Sequence, residues 1–239
     1  MSKIKMSNGY YHYKAVPVFE GVKRIDKDRA FENLCLFKEV LDKNKIEFQL
    51  TYGTLLGAIR EKDFIDHDED IDLLVFNEEK QHFFDILPQL KQVGFDVARY
   101  DRRNLMSIIR NGEYIDIYFM TLREDGTRYC GGNIMPTELT EETIDLDFKG
   151  LNVKIPKNYI ALLRYEYGEN WMTPVEWFDF ELSKFSRLLT IAKTKVKEWL
   201  PDCLYFYLIK SSEKRLQDKY KPKLEKFRKE QAARKRKTI

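Results

Sequence analysis

Cysteine is scarce in this 239-residue sequence, and its placement excludes two classes of protein. Cys35, Cys130 and Cys203 form no Cys-Xaa-Xaa-Cys pair and no even framework, so neither a zinc ribbon nor a disulfide-stapled secreted scaffold is indicated. Long apolar runs are missing as well. No stretch approaches the roughly 20 residues needed to cross a bilayer, and Met1 to Ala15 lacks the apolar centre of a secretory signal. These absences lead us to expect a reducing compartment, the cytoplasm. A Walker loop is absent too, since no Gly-Lys-Ser/Thr follows a glycine-rich turn, which weighs against a P-loop ATPase. Hydrophobic residues nevertheless make up 43% of the chain, enough for one domain-sized core plus an appendage, and disorder throughout is excluded.

What is abundant is negative charge in one place. Asp66-His67-Asp68-Glu69-Asp70-Ile71-Asp72 puts five carboxylates in seven residues, directly before the apolar run Leu73-Leu74-Val75-Phe76. Such a cluster repels itself at neutral pH unless water or a cation compensates it, and a hard divalent ion does so most simply. Side chains alternate faces along a strand, so Asp70 and Asp72 project to one side while Ile71 and Leu73 enter a core. Two carboxylates on one face can share a metal ion. Asp66 and Asp68 have the same parity but precede the strand pattern, and rank below that pair. His67 reads as a polar neighbour before it reads as a base or ligand. On its own, an Asp-Xaa-Asp is more often an acidic turn leading into a strand; the surrounding sequence changes that balance.

Upstream, Gly53-Thr54 lies between a predicted strand at Glu47 to Tyr52 and a helical turn at Leu55 to Arg60. Glycine admits close backbone approach, threonine suits a helix start, and free N–H groups there favour an anion. Arg60 and Lys62 add positive charge nearby. These four residues form the candidate phosphate-binding set, against the plainer reading of a tight turn. Downstream, Leu105 to Arg110 and Tyr114 to Phe119 flank Asn111-Gly112, the signal of a hairpin. Asp116 interrupts the second strand, and a buried carboxylate there needs pairing, hydrogen bonds or coordination. If that strand lies beside the one beginning at Asp70, the third carboxylate meets the first two.

Gly53-Thr54-Leu55-Leu56-Gly57, Arg60, Phe64-Ile65 and the acidic run together resemble the LicD family. A second block is similar to that family's downstream signature: Phe148 to Pro156, then Leu162 to Gly168 and Trp171 to Pro174. The likeness spans roughly Ile46 to Pro174. His67 stands where many members have tryptophan, and Glu69 where aspartate is common. The resemblance implies a nucleotidyltransferase-like core. It also implies Mg²⁺- or Mn²⁺-dependent transfer of a phosphate-linked group, most often phosphocholine from CDP-choline, to a hydroxyl of a cell-surface glycan, with release of CMP. CDP-ribitol or CDP-glycerol donors, nucleotidyl transfer to RNA or a small molecule, and a catalytically silent scaffold are the alternatives. Under this reading Asp70, Asp72 and Asp116 hold metal and carry catalysis, while Gly53, Thr54, Arg60 and Lys62 bind the donor.

The organisation expected is an arm over 1–25, a catalytic domain over 26–180 and a helical, basic segment over 181–239. Helices are predicted from Asp26 or Asp28 to about Lys45, over Glu78 to Val93, and over Asn158 to Gly168, with more strand from Phe95 to Tyr100. Arg123 to Thr140 reads as a loop, its Gly131-Gly132 a turn before it is a nucleotide contact. Strands alternating with helices, then a hairpin, give an α/β class with a mixed sheet. Of the aromatic residues in the second block, Tyr159, Tyr165, Tyr167 and Trp171 are candidates for stacking on a base or sugar. Residues 211–239 hold 12 Lys and Arg against 4 Asp and Glu, a net of +8, leaving 1–210 at −5. The aromatic stretch just before this tail, together with the tail itself (199–239), suggests an anionic membrane surface at the inner face, which suits the lipid-linked or cell-envelope glycan acceptors that the resemblance implies. A charged helix packed on the core is the alternative. Nucleic acid ranks below both, because the body is acidic and the tail lacks interleaved aromatics.

Overall fold

The computed structural model describes residues 2–17, 23–175 and 184–237. Its centre is a mixed sheet ordered β10-β11-β3-β4-β7-β6-β5. In chain order these strands are β3 (Gln49–Leu50), β4 (Asp70–Phe76), β5 (Asp96–Asp101), β6 (Leu105–Arg110), β7 (Glu113–Leu122), β10 (Thr143–Phe148) and β11 (Leu151–Pro156). Pairings β4–β7 and β11–β3 are parallel, the remainder antiparallel. The mixed α/β class expected from the sequence is therefore the class observed. Ile71, Leu73, Leu74 and Val75 of β4 are all buried, as a central strand covered on both faces requires.

Helix α1 (Lys27–Lys43) starts where Asp26 accepts the Arg29 N–H at 3.2 Å. Its Phe37 ring packs within 6.1 Å of the rings of Phe48, Phe83 and Phe95, which ties the helix to the sheet. The helix expected over Glu78 to Val93 is divided in two. A 3-10 turn (Asn77–Glu79) leads into α3 (Lys80–Asp85), and α4 (Leu87–Gln92) begins after Ile86. Pro88 in the first turn of α4 has no N–H to continue α3, so the break falls there. The Asn111-Gly112 turn holds both residues at positive φ, 54° and 82°, and closes the β6–β7 hairpin as expected.

Two segments carry structure that composition did not announce. Residues 2–13 form a hairpin of β1 (Ser2–Met6) and β2 (Gly9–Tyr13). Within the stretch read as a loop, β8 (Thr127–Cys130) extends from β7 and pairs with β9 (Asn133–Pro136). Gly131 and Gly132, both at positive φ, make the tight turn between them, and Leu216 lies against Gly132.

The last elements are α5 (Tyr159–Tyr167), α6 (Lys184–Trp199) and α7 (Asp202–Lys237). Tyr205 of α7 donates to Asp101 Oδ1 at 3.0 Å, Tyr220 to Asn133 Oδ1 at 2.9 Å, and Arg228 to the Asp125 carbonyl at 2.6 Å. Phe227 is buried edge-on to Tyr165. The basic tail is thus strapped across the β8–β9 hairpin and α5. Among the described residues no helix is long and apolar enough to cross a membrane.

Candidate active site

The β4–β7 register pairs Asp72 with Asp116 and Asp70 with Tyr114. Paired residues of parallel strands share a face, and residues two apart share it too, so Asp70, Asp72 and Asp116 converge on one side of the sheet. Above them begins α2 (Tyr52–Arg60), whose Gly53 N–H donates to Asp72 Oδ2 at 3.0 Å. Tyr118, two residues beyond Asp116, donates its hydroxyl to Asp72 Oδ1 at 3.1 Å. A Cβ on Gly53 would overlap Asp68 Oδ2, so glycine is what lets the Asp68 carboxylate lie against the helix start. Tyr52, which opens α2, is held at φ 42° with its ring 4.8 Å from that of Tyr118, a strained backbone for a bulky residue.

Not every residue expected at the site plays the part its sequence suggested. Thr54 does not cap the helix: the N-cap is Thr51, and the fully buried Thr54 hydroxyl accepts the Asp72 N–H at 2.8 Å, fixing β4 to α2. Arg60 borders the cleft, but its guanidinium is engaged by Glu61 at 2.6 Å and by the Trp171 carbonyl at 3.4 Å. Lys62 contributes nothing to the cleft wall. Asp116 lies beside Asp72 without lining the cleft. The two lower-ranked acids separate: Asp66 is exposed and paired with Lys27 at 2.5 Å, whereas Asp68 joins the cluster. Tyr165 packs inside, donating to the Ile134 carbonyl, and Tyr159 lies half-buried against the core, while Tyr167 and Trp171 face the cleft.

The cleft itself holds about 840 Å³ and is bordered by Tyr52, Gly53, His67, Asp68, Glu69, Asp70, Asp72 and Tyr118 on one part of its wall. Glu166, Tyr167, Asn170 and Trp171, from α5 and the residues after it, form another. Glu166 is a site residue that the motifs of the sequence do not mark. Its only signal there is an acid between two tyrosines on a helix whose neighbouring residues turn inward. Its Oε1 is shielded from solvent without a hydrogen-bond partner, and burial pushes its pKa up to about 7 against the pull of Lys223.

Electrostatics set the cluster apart from an ordinary acidic turn. Burial, followed by the charges of neighbouring carboxylates, holds Asp70 and Asp72 well above the ordinary range. Tyr118 and the Gly53 N–H pull Asp72 part of the way back. Burial also raises Asp116, opposed by its hydrogen bond with Ser107 and by Arg99, and lifts Asp68 to about 6. Asp68 Oδ2 and Asp116 Oδ1 are buried without partners. Among the described residues no three acidic, His or Cys side chains stand ready as a closed ligand set. The donors are nonetheless all carboxylate oxygens, crowded and in part unsatisfied, a set whose chemistry suits a hard divalent cation.

Residues 45–158 match the family model described as LicD/FKTN/FKRP, nucleotidyltransferase domain. This stretch is similar to a LicD-type nucleotidyltransferase domain. The resemblance carried by the Gly-Thr and acidic motifs is therefore borne out, with β3, α2, β4 and β7 all inside the matched span. An uncharacterized protein of Rickettsia typhi is 34% identical over 105 residues, 43% of this chain and 33% of that protein. The lipopolysaccharide cholinephosphotransferase LicD of Haemophilus influenzae is 44% identical over 50 residues, 21% of this chain and 19% of the relative. The mouse ribitol-5-phosphate transferase FKTN is 24% identical over 168 residues, 66% and 36% of the two chains. The chain spans about a third of the length of the curated Rickettsia relatives it matches.

Proposed function

We propose that the LicD-type domain transfers a phosphate-linked group from a CDP-activated donor to a hydroxyl of a glycan, releasing CMP. Phosphocholine is the leading group, with ribitol phosphate and glycerol phosphate as the alternates. The observation that carries this reading is the pairing of Asp72 with Asp116 across β4 and β7, beneath the Gly53 end of α2 and beside an 840 Å³ cleft. Two relatives support the reaction class by name, one a cholinephosphotransferase and one a ribitol-5-phosphate transferase.

In this reading Asp70 and Asp72 hold Mg²⁺ or Mn²⁺, with Asp116 sharing it or accepting the acceptor proton. A cation bound there neutralises phosphate oxygens and favours ionisation of the attacking hydroxyl. The acceptor oxygen forms a bond to the donor phosphorus bearing the transferred group, the bond from that phosphorus to CMP breaks, and the hydroxyl proton passes to a carboxylate. Arg60 lends charge at the rim, and Glu166 offers a carboxyl to the polar groups of the substrate. Tyr167 and Trp171 supply flat apolar surface for a base or sugar. The acceptor is lipid-linked, on the cytoplasmic side of a membrane that residues 199–239 approach.

A donor screen tests the proposal, with CDP-choline, CDP-ribitol, CDP-glycerol and nucleoside triphosphates scored for CMP or pyrophosphate in the presence of glycan acceptors. CMP release that needs both the acceptor and a divalent cation is the expected result. Pyrophosphate release alone would replace it with nucleotidyl transfer.

A further inference from the structure

The chain divides by charge at α6. Residues 1–183 carry a net −9 and residues 184–239 a net +12. Most of α7 spends its contacts on the body through Tyr205, Ile209, Tyr220 and Phe227, so the tail's apolar residues are largely consumed by packing. The apolar side chains left in solvent lie upstream. Phe185 is 74% exposed, Leu188 66% and Val196 62%, with Leu189 close behind. Positions 185, 188, 189 and 196 fall on one face of a helix of 3.6 residues per turn.

Soluble proteins seldom leave such a contiguous apolar stripe open to water. The residues around it say what it meets. From Lys184 to Lys193 the sequence has Lys184, Arg187 and Lys193 and no acidic residue. Directly after α6, Leu204, Phe206, Tyr207 and Leu208 at the start of α7 are exposed as well, followed by Lys210. An apolar stripe flanked by cations is the pattern of a helix lying in a lipid interface, apolar side among the acyl chains and lysines at the headgroups. Cations beside an anionic surface add electrostatic attraction to the apolar insertion.

We infer that α6, together with the first turns of α7, is an interfacial helix that docks the protein on an anionic membrane surface. This deepens the membrane element of the proposed function by moving the contact from the basic tail to α6, and it is independent of the chemistry assigned to the carboxylates. The basic tail acts as a body-bound strap, not as the anchor.

Vesicle co-sedimentation of the full chain tests it. The protein is expected to pellet with phosphatidylcholine vesicles containing phosphatidylglycerol, and not with phosphatidylcholine alone. A triple variant, Phe185→Glu, Leu188→Glu and Val196→Glu, changes exposed residues only and is expected to partition at least about tenfold more weakly. Lys184→Glu with Lys193→Glu should weaken binding by about as much, whereas Lys219→Glu with Lys229→Glu in the tail should leave it near the parent level. Unchanged pelleting of the triple variant overturns the inference. So does a concentration-dependent dimer in velocity sedimentation that the triple variant abolishes, since the stripe would then belong to a second copy. CMP release with a soluble acceptor is expected to survive in the triple variant. Absence of release from every form, with pelleting that still tracks α6, would remove the proposed chemistry and leave the docking intact.

Discussion

Asp70 sits among like charges that its own ionisation makes worse, and this sets two opposite expectations for one substitution. Asp70→Asn should lower turnover by about 10²-fold or more if the carboxylate holds the catalytic cation. It should also raise the thermal midpoint of the metal-free protein, by the equivalent of about 1 kcal/mol, because a buried repulsion is relieved. Calorimetry beside a turnover assay checks both, and a lowered midpoint would mean that the carboxylate is structural. Glu166 makes a complementary case. Its folded pKa of about 7 lies above the ordinary value of 4.5, so its contribution favours the folded state fully below about pH 4.5 and is lost as pH rises through 7. Its surroundings are Lys223, which opposes the shift, and Tyr52, Tyr165, Tyr167 and Tyr220, whose own ionisation it disfavours. Glu166→Gln should flatten the stability profile between pH 5 and 8, by up to about 3 kcal/mol at the alkaline end. Urea titrations across that range measure it, and identical profiles for parent and variant would refute it.

Elements place these residues, and here the limits of the sequence become concrete. Strand β4 was readable because Ile71, Leu73 and Val75 form an apolar run behind two acids, and β7 because Asn111-Gly112 leaves little choice of turn. Their adjacency in parallel register was not readable from either strand alone. It depends on β6 and the crossover between them, which no local pattern encodes. The β8–β9 hairpin reads as a loop in the sequence because its strands are only four residues long and its Gly-Gly turn has several uses. Residue type marks Thr54 as a cap, yet the chain enters α2 three residues sooner, with Thr51 as N-cap and the strained Tyr52 first in the helix. Glu166 carries no local signal because its place in the site comes from a cleft assembled across distant segments. One glycine bears on the architecture directly: a Cβ at Gly57 would sit 2.5 Å from the Asp63 carbonyl, backbone that has no rotamer to yield. Gly57→Ala should therefore destabilise by about 2 kcal/mol or more and loosen the turn that leads into the acidic run. Denaturant midpoints test this, and a neutral result would show that the 61–65 turn shifts freely.

On the scale of the whole molecule, an acidic body and a basic helical end are held together by a few anchors. Phe227→Ala should cost about 3 kcal/mol if α7 and the body unfold as one unit, and far less if the strap detaches alone. Hydrogen exchange of α7 amides beside a global melt separates these outcomes. Divalent cation should raise the melting midpoint at pH 7.5, by about 2.7 kcal/mol at a hundredfold excess over its dissociation constant, and do so far less at pH 5 where protons compete. Asp70→Asn with Asp72→Asn should erase the effect; a full shift in that double variant would place the cation elsewhere. The strand pairing described above also fixes when the centre comes into being. Residues 70 and 72 leave the ribosome well before residue 116, and only the zipping of β7 onto β4 brings the third carboxylate alongside. A nascent chain stopped before β7 would therefore hold cation poorly, so affinity for the ion is acquired in a single step near the middle of synthesis, as β7 pairs with β4.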